Sequence, residues 1–265
     1  MQKCAVKPKE SNTFAPSIIK VKLKEKMKKL FTMVVALAAF ASSAMALDNE
    51  PKDGMSYQAF LGFTASKIRG LDGYDGKVGG TAGFKVEYVL PKAHGTYINA
   101  GVDWTQKGAK TDVTAFAVGA GASDGTQKYN LHYIEIPIHV GFHYNFSQEI
   151  GVFGEVGPYF GMGIGGKNKL SLDESGSAYS AAEDAATYKA FKKSTLRPNF
   201  QRWDAGVGFR VGGEYNQHYI LALGMDWGLT NMWRDKYADA MADNYGIKLK
   251  DVKNYTFYMT LGYRF

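Results

Sequence analysis

The sequence predicts an all-β chain: an eight-stranded antiparallel up-and-down transmembrane β-barrel. Three observations lead there. Segments with a strict period of two recur eight times after residue 47. The charged residues in those segments share a face with glycine and other polar residues, opposite the hydrocarbon. No segment beyond residue 47 is long and apolar enough for a membrane helix, which needs roughly 20 residues. A period of two is the signature of a strand with one apolar and one polar face.

The pattern is clearest in the closing stretch, Asn254–Phe265. Tyr255, Phe257, Met259, Leu261, Tyr263 and Phe265 alternate with Asn254, Thr256, Tyr258, Thr260, Gly262 and Arg264. The first strand, about Tyr57–Ser66, sets Ala59, Leu61, Phe63 and Ala65 against Gln58, Gly62 and Thr64. The second, about Thr81–Leu90, sets Ala82, Phe84, Val86 and Tyr88 against Gly83, Lys85 and Glu87. The third, about Thr96–Lys107, sets Ile98, Ala100, Val102 and Trp104 against Asn99, Gly101, Asp103 and Thr105. The fourth, about Lys128–Asn145, carries Ile134, Ile136, Ile138, Val140 and Phe142 against Glu135, Pro137, His139, Gly141 and His143.

The fifth strand, about Gly151–Gly165, alternates Val152, Val156, Pro158, Phe160, Met162 and Ile164 with Glu155, Gly157, Tyr159, Gly161 and Gly163. Pro137 and Pro158 fall inside strands, which predicts local distortion of the ladder and not a break. The sixth, about Asn199–Tyr215, opposes Trp203, Ala205, Val207, Phe209 and Val211 to Arg202, Asp204, Gly206, Gly208, Arg210 and Glu214. The seventh, about Tyr219–Leu229, opposes Leu221, Leu223, Met225 and Trp227 to Ala222, Gly224, Asp226 and Gly228.

Connections alternate long and short. Arg69–Gly80, Gly108–Thr126, Lys167–Leu196 and Asn231–Val252 are expected to be polar loops, with a short helix possible in Ala178–Lys193. The other connections are tight turns. That asymmetry predicts short periplasmic turns and long extracellular loops, with both termini periplasmic. Aromatic residues cluster at strand ends (Trp104, Tyr144, Trp203, Tyr215, Tyr219, Trp227, Tyr263), as girdles at two membrane interfaces would.

The expected inward face holds Lys85, Glu87, Asp103, Glu135, Glu155, Arg202, Asp204, Arg210, Glu214, Asp226 and Arg264, and the outward face almost no charge. A soluble barrel has the reverse arrangement. Lipid cannot satisfy backbone N–H and C=O groups, so the sheet must close on itself. Eight strands leave an interior only wide enough for side chains. Opposite charges inside should therefore pair.

The N-terminal 46 residues read differently. Met27-Lys28-Lys29, the apolar run Leu30–Ala41 and Ala44-x-Ala46 form a signal peptide over 27–46, with Leu47 as the mature N-terminus. Residues 1–26 read as a dispensable extension, Met27 being the expected start. The net charge of +7 belongs to this region: residues 47–265 keep 23 of 32 basic and 23 of 25 acidic residues. The basic balance is thus no sign of a nucleic-acid partner. The single cysteine, Cys4, lies there too, which leaves residues 47–265 without disulfides or Cys-ligated metal.

No residue stands out as catalytic, cofactor-binding or metal-binding. His139 and His143 are four apart on one strand face, roughly 13 Å, too far for one ion. Gly161-x-Gly163-x-Gly165-Gly166 lacks the helix a phosphate loop needs. Glu135 and Glu155 fall on neighbouring strands and could approach, but read as partners of the inward cations. His132 is the one outward histidine on a strand, with no outward serine near it to act as nucleophile.

Five stretches resemble a known family. They are Trp104-Thr105-Gln106-Lys107-Gly108, Tyr133-Ile134-Glu135-Ile136-Pro137, Gly157-Pro158-Tyr159, Gly228-Leu229-Thr230-Asn231 and Leu261-Gly262-Tyr263-Arg264-Phe265. Together they resemble the outer-membrane β-barrel domains of Bacteroidetes-type bacteria, the "porin family" or PorT-like and OmpX/OmpA-like eight-stranded barrels. The resemblance implies an eight-stranded barrel, no catalytic residues, and insertion by assembly machinery that recognises the terminal strand ending in Phe265. The expected partners are outer-membrane lipids and lipopolysaccharide. The expected role is structural, or adhesive and ligand-binding through the long loops. A narrow transport pore is the alternative, followed by a lipid-modifying enzyme or a secretion accessory.

Overall fold

A computed structural model describes residues 54–70, 73–117, 120–191, 200–234, 239, 243–244 and 252–265. The expected extension and signal peptide, and loop residues such as Tyr237 and Tyr245, lie outside the described residues.

Eight long strands form one sheet: β1 (Gly54–Arg69), β2 (Tyr74–Val89), β3 (Thr96–Ala117), β4 (Gly121–Asn145), β5 (Ile150–Leu172), β7 (Trp203–Tyr215), β8 (Tyr219–Gly228) and β9 (Lys253–Arg264). Between β5 and β7 lie helix α1 (Ser177–Ala186) and the two-residue strand β6 (Tyr188–Lys189), which pairs only with β5. Each long strand is antiparallel to its sequence neighbour, and β9 returns to pair with β1. The ring is closed, so the eight-strand expectation holds and β6 is an addition outside the wall.

Following directly paired residues once around shows how the ring closes. Met55 pairs with Tyr88, then Ile98, Val140, Val156, Phe209, Met225 and Phe257, and Phe257 pairs with Ala65. The circuit returns to β1 ten residues further along. Ten residues rise ~33 Å over eight inter-strand spacings of ~38 Å, a strand tilt of about 40°.

The faces follow the expected parity. Leu61, Phe63, Val102, Ile136, Phe160, Leu221, Leu223, Met259 and Leu261 are all exposed on the outer wall. Lys85, Glu87, Glu135, Glu155 and Arg210 are buried inside. So broad an exposed apolar belt far exceeds the few hundred Å² that a water-soluble surface carries. Tyr57, Tyr88, Tyr215, Tyr219 and Tyr263 rim it at one end, and Trp203 and Trp227 at the other. Tyr219 to Trp227 is eight residues, which at this tilt spans ~20 Å, close to the ~25 Å apolar band of an outer-membrane barrel.

Three of the four expected loops need correction, and most of the fourth, Asn231–Val252, lies outside the described residues. Most of Gly108–Thr126 is strand: β3 runs to Ala117 and β4 starts at Gly121. Within Arg69–Gly80, Arg69 and Tyr74–Gly80 are strand, and β5 continues through Lys167 to Leu172. Only the apolar outer face stops at the membrane edge. The backbone ladder goes on, and its outer residues turn polar because they meet water. The length asymmetry therefore takes the form of tall β-hairpins at one end, here the hairpin end. The other end has short turns. The expected helix is present as α1.

At the prolines the ladder is distorted without slipping. Paired positions are interrupted beside Pro137 on both of its neighbours, yet the same register resumes beyond it.

An arginine at Leu223, mid-band, should cost about 2–4 kcal/mol, whereas one at Tyr219, in the interfacial rim, should cost under about 1 kcal/mol. Reversible urea unfolding in phospholipid vesicles measures both. Equal costs would place the apolar belt elsewhere than in lipid.

Candidate functional site

The chemistry of the interior is set by parity. A closed ring with ~40° tilt is about 16 Å across between backbones, so inward side chains from opposite walls meet. Every ion there is taken out of water and must find partners. The lumen answers with three tiers.

At the short-turn end, Arg264 lays both Nη atoms on Glu214 at 2.8 Å and reaches Glu87 at 3.3 Å. His143 bridges the same two carboxylates, Nε2 to Glu87 at 2.9 Å and Nδ1 to Glu214 at 3.1 Å. A vestibule of about 350 Å³ opens below and stops at this cluster.

In the middle tier, Glu155 collects almost everything. Lys85 donates at 3.1 Å, the Tyr97 hydroxyl at 2.9 Å and Asn99 at 2.6 Å. His139 Nδ1 lies at 3.2 Å and an Arg210 Nη at 3.5 Å. Arg210 also lies over the rings of Phe60 and Phe153. The void left beside this tier is about 20 Å³, room for about one water molecule.

The third tier centres on Lys107. Its ammonium contacts Glu135 and Asp204, the latter at 2.9 Å, and lies over the rings of Tyr159 and Tyr133 at 4.7 and 5.4 Å. Asp204 also accepts from Thr230 at 2.8 Å and from Tyr159 at 3.3 Å. Lys107, Glu135, Tyr133, Tyr159 and Thr230 come from four of the five stretches that carry the family resemblance. Those stretches are far apart in sequence and meet at one cation.

Above Lys107 the interior turns apolar. Ile68, Ala109, Tyr129, Leu131 and Tyr133 from the wall pack with Ala190, Phe191, Phe200, Met232, Trp233 and Val252 from the connections. Phe200 stacks on Trp233 at 4.6 Å, and the two segments form a β-bridge. Phe191 meets Tyr133 edge-on. It fits because residue 163 is glycine: a Cβ there would stand inside the Phe191 ring. The glycine run thus makes space for a plug. This cluster caps the lumen at the hairpin end.

Other expected residues fall as follows. Glu135 and Glu155 are not brought together. Glu135 pairs across β5 with Gly161 and Glu155 across β4 with Gly141, so six residues of strand, roughly 20 Å, separate them. They serve different cations. His139 and His143 point inward into different tiers. His132 is outward and stacks on Trp104. Arg202, expected inside, is exposed beside the cap, because the strand begins only at Trp203. Lys107 was missed as an inward charge, although it shares the parity of Asp103 and Thr105. Among the described residues, no group of three His, Cys, Asp or Glu side chains is placed to hold a metal ion.

Lys107→Met should cost about 3–5 kcal/mol, because it leaves two buried carboxylates unpaired. Adding Glu135→Gln and Asp204→Asn should recover part of that loss. Urea unfolding of the single and triple variants tests it; a triple variant no more stable than the single would show that the ion cluster is not what holds this tier.

A search of curated protein sequences finds no match. Among solved structures, the attachment invasion locus protein Ail of Yersinia pestis is 15% identical, with 81% of this chain and 100% of that chain covered and a TM-score of 0.36. Neisserial surface protein A is 12% identical, covering 80% and 98%, TM-score 0.38. OprG of Pseudomonas aeruginosa is 12% identical, covering 82% and 98%, TM-score 0.37. Such identities are too low to carry any activity across. The family model described as "Outer membrane protein beta-barrel domain" matches residues 40–234, well over half of the sequence. The chain belongs to the outer membrane protein β-barrel domain family.

Proposed function

We propose that this protein is a sealed, non-enzymatic scaffold of the outer membrane, which works through what its tall hairpins present at the cell surface. The observation that carries this reading is the filled interior: among the described residues, three tiers of ions and then an apolar cap occupy the lumen. A pore needs a water-filled lumen. Here Lys85, Lys107, Arg210 and Arg264 are each held by inward carboxylates, while Asp103 and Asp226 line the small void without an ion pair, and Tyr97, Tyr159 and Phe191 are buried in the remaining width.

In this reading the hairpin end faces outside and both termini face the periplasm. Rigid hairpins on a fixed barrel suit a structural or adhesive role, since binding residues concentrate where a scaffold positions exposed segments. The apolar belt takes up the lipid, and the terminal strand ending in Phe265 serves the assembly machinery. A Bacteroidetes-type, PorT-like relationship rests on the five motif stretches, four of which build the Lys107 tier.

Planar-bilayer recording on the purified protein tests the sealed lumen. The expected result is no stable, large conductance; sustained channel steps from a monomer would overturn it. Orientation is tested separately. Ser175→Cys, near the top of the hairpin end, should react with a membrane-impermeant maleimide on intact cells. Gln148→Cys, in a short turn, should react only after the outer membrane is permeabilised. The opposite pattern would invert the topology.

A further inference from the structure

Two inward carboxylates are left over once the lumen's ion pairs are drawn. The middle and third tiers bring Asp103, Glu135, Glu155, Asp204 and Asp226 against three permanent cations, Lys85, Lys107 and Arg210. Lys85 and Arg210 go to Glu155, and Lys107 goes to Glu135 and Asp204. Among the described residues, neither Asp103 nor Asp226 makes an ion pair.

Both carboxylates line the void of about 20 Å³ beside the middle tier. They approach it from different walls, Asp103 from β3 and Asp226 from β8. Each pairs directly with a glycine, Asp103 with Gly83 and Asp226 with Gly208. A Cβ at Gly83 would collide with Asp103 Oδ1. One at Gly208 would stand 2.8 Å from Asp226 Oδ1 and 2.8 Å from His139 Nε2. The two glycines keep room for these polar atoms at the void.

Three polar atoms on the lining residues have no hydrogen-bond partner: Asp103 Oδ1, Thr260 Oγ1 and His139 Nε2. Thr260 is 2% exposed and His139 1%. His139 sets Nδ1 against a Glu155 oxygen, which can only accept, so Nδ1 carries the proton and Nε2 presents a lone pair. Acceptors, two of them on anions, thus surround a space the size of one water molecule. Lys85 and Arg210 reach the same space but are engaged by Glu155, and Arg210 also by Gln58. A water molecule here would bring no charge, and a buried anion needs a counter-charge.

We infer that this void is a binding site for one monovalent alkali cation, held by Asp103, Asp226 and Thr260. Carboxylate and hydroxyl oxygens are the ligands that a hard cation takes. Calcium takes about six to eight oxygens and magnesium keeps several waters of its own, for which this void has no room. No third carboxylate or imidazole is placed to complete a transition-metal site among the described residues. A bare alkali ion is no larger than water, so it fits where one water molecule fits.

The test uses the full, folded protein in phospholipid vesicles, unfolded by urea as choline chloride is exchanged for sodium or potassium chloride. Ionic strength is held constant, which removes general screening, and choline is too large for the void. With at least one of the two alkali ions, the wild-type unfolding constant should fall at least tenfold, as it does when a ligand binds only the folded state. Asp103→Asn/Asp226→Asn keeps both shapes and removes both charges, and should abolish that response. Thr260→Val keeps the shape and removes one ligand, and should weaken it. A heat-modifiability gel shows which variants are still barrels, and either one suffices. Equal wild-type unfolding in all three salts would overturn the inference and leave protons as the balancing charge. An undiminished alkali response in a folded variant would overturn it too. Neither conductance nor orientation enters these readouts, so failure here is distinct from failure of the sealed-lumen reading.

Discussion

Lipid offers no hydrogen bond to a backbone amide, and that constraint shapes this molecule. It forces the sheet to close, and β9 does so by pairing with β1 along twelve residues. Closure at eight strands with a ten-residue stagger fixes the tilt and the bore. The bore then leaves space only for side chains. Once charges are placed inside so narrow a tube, they must satisfy each other, because neither bulk water nor lipid can reach them.

Lys107 shows how far this pairing goes. It lies at the boundary between the ionic lumen and the apolar cap, held by two carboxylates and two aromatic faces. One of those rings, Tyr133, also belongs to the cap and packs against Phe191. The cap therefore rests on the ion cluster through a shared side chain. The same residue ties β3 to β4 through Glu135 and to β7 through Asp204, so it links walls that are not adjacent. A buried ion group of this kind is weak evidence for stability gained, but removing one partner is costly. It acts here as a constraint on arrangement more than as a source of net energy.

Much of this was readable from the residues alone, and the failures have physical causes. Parity along each strand separates Leu221 from Ala222 and Ile136 from Glu135, so both walls of the barrel follow from a period of two. Parity also marks Lys107, two steps beyond Thr105, and should have placed it inside. The hairpin extensions were not readable as strands. Above the membrane, residues such as Lys110, Asp112 and Thr114 lose the apolar alternation while the ladder continues. Arg202 was misassigned for a related reason: parity means nothing one residue before the strand begins. The cap was out of reach, since it joins Ile68, Phe191, Trp233 and Val252 through non-periodic connections. Nor does spacing reveal that Gly163 is small for the sake of Phe191.

The account stands on which wall meets hydrocarbon. Nuclear Overhauser contacts between lipid acyl chains and protein methyl groups, recorded in lipid nanodiscs, measure this directly and need no substitution. Contacts from Leu221, Leu223, Met259 and Leu261, with none from Thr64, Ala222 or Thr260, are the expected result. Acyl-chain contacts from that second, inward set would contradict the inside-out arrangement from which the lumen, the cap and the membrane setting all follow.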